Sequence, residues 1–166
     1  HTRFKCEWRS DVCPSDLKST LASAVVRQLR AVGTAVELVA MEDLYEGWEG
    51  LDDSLHRRVR EQVVEPFAMG RRSRWQRYDW AADRFGSWAE TSAADVLVLE
   101  GCGSGAAELA SCTSLLVWVE LPADERHTRA IARDGEVFAT RWDAWASLED
   151  AYLLANRPRD RADLEI

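Results

Sequence analysis

The sequence predicts an α/β fold: a parallel sheet with helices on both faces, making three layers. Three observations carry that expectation. Val96-Leu97-Val98-Leu99 is a run of four large aliphatics that cannot alternate between core and solvent, so it reads as a strand covered on both faces. Leu115-Leu116-Val117-Trp118-Val119 repeats the pattern. Between such runs, apolar residues recur at helical spacing, and strands alternating with amphipathic helices are the mark of a sheet sandwiched between helices.

Bulk properties narrow the function classes. At 166 residues and 46% hydrophobic content, the chain suits one domain with a sizeable core. A net charge of -8 argues against nucleic acid and anionic membrane surfaces as partners, since a protein that binds them would present a basic face. No apolar run reaches membrane-spanning length. Cys6, Cys13, Cys102 and Cys112 lack the tight pair spacing of a zinc site and read as reduced thiols of a cytoplasmic protein. Of the eight tryptophans, Trp48, Trp75, Trp80 and Trp88 sit in polar, loop-like surroundings suited to stacking on a planar ligand.

From Lys18 the helical pattern is clear: Leu21, Val25, Leu29 and Val32 share a face, and Gly33 follows where a left-handed cap is wanted. Val36 to Ala40 is a short buried strand running into the acidic, aromatic loop Met41 to Trp48. Leu51, Leu55, Val59, Val63 and Phe67 give a second helix, with Pro66 bending its last turn. Gly70 to Glu90 mixes arginines with aromatics and reads as a partly extended excursion over the sheet's carboxyl edge. Pro122-Ala123-Asp124-Glu125 starts a helix carrying Arg126, Arg129 and Arg133. Trp142, Trp145, Leu148, Ala151 and Tyr152 mark another helix, and Ala162 to Ile166 a final strand.

The chemistry gathers at strand ends, because ligands of open α/β sheets sit just beyond the carboxyl edge. Glu100 ends the Val96–Leu99 run, with Gly101, Gly103 and Gly105 after it. Lys18-Ser19-Thr20 opens the first helix. A lysine and a hydroxyl there form the tail of a P-loop, where lysine reaches terminal phosphates and the hydroxyl binds magnesium. The glycines of that motif would fall at positions 12 and 17, which hold Val12 and Leu17. Taken alone, Lys18-Ser19-Thr20 is an ordinary helix start.

The wider constellation changes its meaning. Glu42-Asp43-Leu44-Tyr45 ends the second strand, Arg77-Tyr78-Asp79-Trp80 follows, and Leu97-Val98-Leu99-Glu100-Gly101 ends the next strand. Arg126, Arg129 and Arg133-Asp134 lie on a helix, and Arg161-Ala162-Asp163-Leu164 closes the set. In this order the motifs resemble the uridine/cytidine kinase-like branch of P-loop kinases, which has phosphoribulokinase and pantothenate kinase relatives. The resemblance covers Lys18 to Ile166.

It implies a P-loop NTPase-type fold and ATP- and Mg2+-dependent phosphoryl transfer to a hydroxyl of a small molecule, a nucleoside or related metabolite. Such transfer requires positioning and charge neutralisation more than covalent chemistry. The resemblance makes Glu42 the base toward the acceptor hydroxyl, with the neighbouring Asp43 the alternative. It gives Lys18, Ser19, Thr20, Arg126 and Arg129 to the nucleotide, Ser19 and Glu100 to the metal, and Arg133 to the transferring phosphate. Tyr45, Trp48, Tyr78, Asp79 and Trp80 fall to the acceptor. Two other readings stand beside it: a nucleoside monophosphate or shikimate-type kinase, and a degenerate nucleotide-binding or interaction domain without catalysis.

The family places an apolar strand and a glycine-rich loop before the lysine. His1 to Leu17 shows neither pattern, so the first strand is expected to be missing. Arg9 to Leu17 resembles a translated sequencing-library adapter, which makes 1–17 a non-native or disordered leader to a kinase domain over 18–166. With that loop lost, the chain as written is expected to be inactive.

Overall fold

The computed structural model describes the backbone of residues 4–8, 15–120 and 140–166, and side chains over 19–120 and 140–166. Five strands form a parallel sheet: β1 (Phe4–Trp8), β2 (Val36–Ala40), β5 (Val96–Glu100), β6 (Leu116–Val119) and β7 (Leu164–Glu165), in the order β2-β5-β1-β6-β7. A separate antiparallel hairpin consists of β3 (Arg74–Asp79) and β4 (Arg84–Glu90). The arginine-rich excursion is thus a two-stranded ribbon, with a register irregularity between Gln76 and Tyr78.

One expectation is corrected here. The first strand is not missing: β1 occupies the centre of the sheet, pairing Phe4 with Val98 on one side and Cys6 with Val117 on the other. Phe-Lys-Cys-Glu-Trp alternates apolar and charged residues, whereas a strand covered on both faces is ordinarily apolar throughout. The facing edges of β5 and β6 supply the reason it forms. Both would otherwise leave a row of buried N–H and C=O groups unpaired, and any extended segment in the slot satisfies them.

The strand β5 is packed from both sides. Val96 and Val98 pack with Val36 against Ala22 and Val26 of α1 (Ser15–Ala31). Leu97 and Leu99 point the other way, into the larger core with Leu55, Val59, Val63, Trp145 and Tyr152. All five residues of β5 are buried, as the unbroken aliphatic run requires. The first helix ends as its sequence indicates: Gly33 has φ +86°, its N–H reaches the Arg30 carbonyl, and the Thr34 N–H reaches the Leu29 carbonyl. This is the paired-bond cap that glycine favours.

The second helix departs from a regular α-helix in an informative way. It starts as α2 (Asp53–Arg58), widens into a π-helical segment (Val59–Val64), and finishes as α3 (Glu65–Ala68). Its apolar residues recur every four positions, and on an α-helix of about 3.6 residues per turn each such step overshoots by about 40°. A π segment, bonded i→i+5, holds more residues per turn and takes up that drift. Leu51, Leu55, Val59, Val63 and Phe67 are consequently all buried together.

Helix α4 (Trp142–Asn156) lays Trp145 and Tyr152 on the same core. Trp75, expected among loop residues, is buried there too. The expected helix after Pro122, with Arg126, Arg129 and Arg133, lies outside the described residues. Among the described residues, no helix is long and apolar enough to cross a membrane.

Candidate active site

The parallel register brings the strand ends to one edge, with Ala40 of β2 opposite Glu100 of β5. Glu100 is 7% exposed, an uncommon position for a carboxylate. Burying such a charge is costly unless polar groups meet it. The Ser19 hydroxyl from α1 does so, donating to Glu100 Oε1 at 3.1 Å. Two residues far apart in sequence and assigned to one metal by resemblance are therefore neighbours. Thr20 is exposed, and Lys18 lies one residue before Ser19 in α1.

The turn after Glu100 is built for close packing. Gly101 and Gly103 have φ +115° and +89°. A Cβ at Gly101 would stand 3.1 Å from the Met41 Cβ, and one at Gly103 would stand 3.0 Å from Leu51 Cδ1. Only glycine combines that backbone with that approach. These glycines hold the Glu100 turn against the loop after β2. Arg161 reinforces it from the far end of the chain, donating to the Gly105 carbonyl and to that of Asn156.

That loop carries the two adjacent acids on a 3-10 turn (Met41–Asp43). Glu42 is exposed, whereas Asp43 pairs with Arg77, whose Nε lies 3.2 Å from Oδ2. Trp80 crosses from the hairpin and donates its indole N–H to the Glu42 carbonyl at 3.2 Å. Trp48 packs edge-on against both Trp80 and Trp145, at 5.3 and 6.4 Å between ring centroids. Tyr78 meets Trp80 at 5.3 Å and Phe85 at 5.4 Å. These edge-to-face contacts suit the aromatic quadrupole and make one continuous chain of rings from hairpin to α4.

Other residues assigned to the acceptor have structural tasks in this geometry. Tyr45 is buried, and its hydroxyl donates to the Cys102 carbonyl at 2.6 Å. Asp79 Oδ1 accepts from the backbone N–H groups of Ala81 and Ala82, shaping the hairpin turn. The Tyr78 hydroxyl donates to Asp83 at 2.6 Å, and that bond pushes its pKa up to about 12. Tyr78 thus keeps its proton at neutral pH and cannot serve as a base.

Sequence reasoning missed three contributors. Arg77 opens the Arg77-Tyr78-Asp79-Trp80 motif, and its pairing with Asp43 follows only from the fold. Arg58 joins the loop, the helix and the hairpin: it donates to the Leu44 carbonyl at 2.9 Å, lies 3.6 Å from Glu46 and covers the Phe85 ring. Glu149 is fully buried on α4 and accepts from the Cys102 thiol. The signal for Glu149 was an acid on the same helical face as Trp145 and Tyr152 (i, i+4 and i+7 from Trp145), a weak one because acids are common on helices. Among the described residues no group of three or more histidines, cysteines and acids converges as a metal cage.

No family model matches the chain, and no curated protein matches it in sequence. Solved structures do resemble it. A possible uridine kinase from Bacillus stearothermophilus aligns over 100% of this chain and 88% of its own, with a TM-score of 0.71 and 19% identity. A candidate fructose transport system kinase from Silicibacter sp. TM1040 aligns over 99% and 90%, with a TM-score of 0.56 and 22% identity. At these identities the likeness establishes the fold alone: a mixed α/β architecture shared with these two structures.

Proposed function

We propose that the chain is built as a small-molecule kinase of three-layer, P-loop NTPase type. It would move the γ-phosphoryl group of ATP to a hydroxyl of a nucleoside or related metabolite. The observation that carries this reading is the Ser19–Glu100 contact at the sheet's carboxyl edge, beside the loop holding Glu42. Mg2+ favours oxygen ligands and is commonly held by one or two carboxylates together with substrate phosphates, so a hydroxyl–carboxylate pair without a full protein cage fits it. Ser19 and Glu100 would hold the ion, and it would neutralise phosphate charge.

The remaining roles follow from position. Lys18, near the start of α1, suits the phosphates as a cation beside a helix N-terminus, which presents N–H groups to anions. Glu42 would take the proton of the acceptor hydroxyl, with Trp48, Tyr78 and Trp80 bordering the acceptor. Arg126, Arg129 and Arg133, outside the described residues, would close over the phosphates as bidentate donors.

The nucleotide loop does not fit as written. Residues 9–17 contain no glycine, and Val12 and Leu17 stand where a phosphate cradle needs free backbone approach. Reading Arg9 to Leu17 as a non-native insert reconciles the surrounding kinase architecture with the defective loop. An independently amplified gene that is continuous across the Leu17 and Lys18 codons would remove that explanation.

Calorimetry of the chain and of a Val12→Gly/Leu17→Gly variant tests the proposal. The parent should show no magnesium-dependent ATP binding at micromolar concentration. The variant should bind, and adding Glu100→Gln should weaken the magnesium-dependent part. Binding unaffected by magnesium and by Glu100→Gln would contradict the assignment.

A further inference from the structure

Two contacts from the hairpin close on the turn that carries Glu42 and Asp43. Arg77 forms an ion pair with Asp43, and Trp80 donates to the Glu42 carbonyl. Trp80 also packs on Tyr78 and Trp48, and Trp48 on Trp145 of α4, so the hairpin has contacts beyond the turn it grips. Met41 anchors the start of the turn in the core, and the Leu44 N–H bonds back to the Met41 carbonyl. Among the described residues, no hydrogen bond or ion pair holds the exposed Glu42 carboxylate.

We infer that Arg77 is a positioning residue that separates the roles of two adjacent acids, binding Asp43 and leaving Glu42 as the carboxylate open to an acceptor hydroxyl. The inference rests on the kinase reading for what the open carboxylate does, but not for the pairing itself. A guanidinium occupies carboxylate oxygens in a directed way, so Asp43 loses freedom to approach a substrate proton. The pair is half-exposed, with Arg77 at 56% and Asp43 at 37%, so its value lies in geometry rather than in stability.

Carbodiimide labelling of the full-length chain, read by mass spectrometry, tests the pairing without any activity. Glu42 should label several-fold faster than Asp43. Arg77→Gln should raise Asp43 labelling toward the Glu42 rate, and Arg77→Lys should restore much of the protection, with melting temperatures unchanged. Equal labelling of both acids in the parent, or no response to Arg77→Gln, overturns the inference.

The second arm uses the Val12→Gly/Leu17→Gly variant with ATP, magnesium and a panel of nucleosides and sugars. Arg77→Gln should lower kcat by on the order of 10- to 100-fold, as small misplacements of reacting groups do, with ATP affinity unmoved and Arg77→Lys recovering activity. Transfer that ignores Arg77→Gln overturns the positioning role. Absence of transfer to any acceptor overturns the kinase reading and the base role with it, leaving only the ion pair established by labelling.

Discussion

Tyr78 and Asp83 show how a single hydrogen bond sets both a residue's chemistry and its pH response. The bond favours the protonated phenol, so the folded state holds that proton above the ordinary tyrosine value of 10.0, up to about 12. The sign follows from linkage: the stability from this bond is fully present below pH 10 and is lost as pH rises from 10 toward 12. Chemical denaturation of the parent and Tyr78→Phe should show a stability difference in favour of the parent that shrinks across that interval. A difference that grows with pH would contradict it. At the same scale, motif order in the sequence names Ser19 and Glu100 together, and the fold puts their side chains in contact. It could not reveal Tyr45's commitment to the Cys102 carbonyl, which depends on a contact between residues 57 positions apart.

Elements were legible where a single physical pattern dominated. The aliphatic run of β5 and the face of α1 with its Gly33 cap stood out because burial on one or two sides leaves a period in the sequence. The β3–β4 hairpin was obscured by its composition: its side-chain contacts include a ring chain and guanidinium groups over Phe85 and Trp88 in place of alternating aliphatics. The helix from Asp53 to Ala68 was legible as a helix, while its π segment showed only as a repeat of four instead of 3.6. Its start is set by Asp52, whose Oδ1 accepts from the Leu55 N–H at 2.8 Å.

Burial, the largest influence on Asp52, raises its pKa, but the bonds from Leu55 and Ser54 and the charge of Arg58 together leave it below the ordinary 3.8. Asp52→Ala should cost about 1 kcal/mol at neutral pH by equilibrium denaturation. The charge-dependent part, present above pH 3.8, should fade as pH falls through the depressed value. An unchanged stability at pH 7 would show that the cap does not hold the helix.

For the whole molecule, β1 is the element on which the rest depends. It joins β2 and β5 on one side to β6 and β7 on the other. Its alternating sequence hid it, because the sheet's need for a central strand is a property of β5 and β6 and not of residues 4–8 themselves. Proline at Cys6, opposite Val117, would remove a ladder donor from a central strand. Cys6→Pro should abolish a cooperative thermal transition, whereas proline at the exposed, edge-strand Leu164 should leave one. A sharp melt retained in Cys6→Pro would show that β1 is dispensable.

The central claim, that the carboxyl edge is assembled for phosphoryl transfer with Glu42 as base, meets its most direct test in one comparison. The measurement is kcat for ATP-dependent transfer by the Val12→Gly/Leu17→Gly protein, set against the same protein carrying Glu42→Gln or Asp43→Asn. A positioned base is worth on the order of 10²- to 10⁴-fold, so Glu42→Gln should lower kcat within that range with ATP affinity nearly unchanged, and Asp43→Asn should cost far less. Loss of transfer in Asp43→Asn with Glu42→Gln harmless would move the base by one residue. Indifference to both would contradict the account.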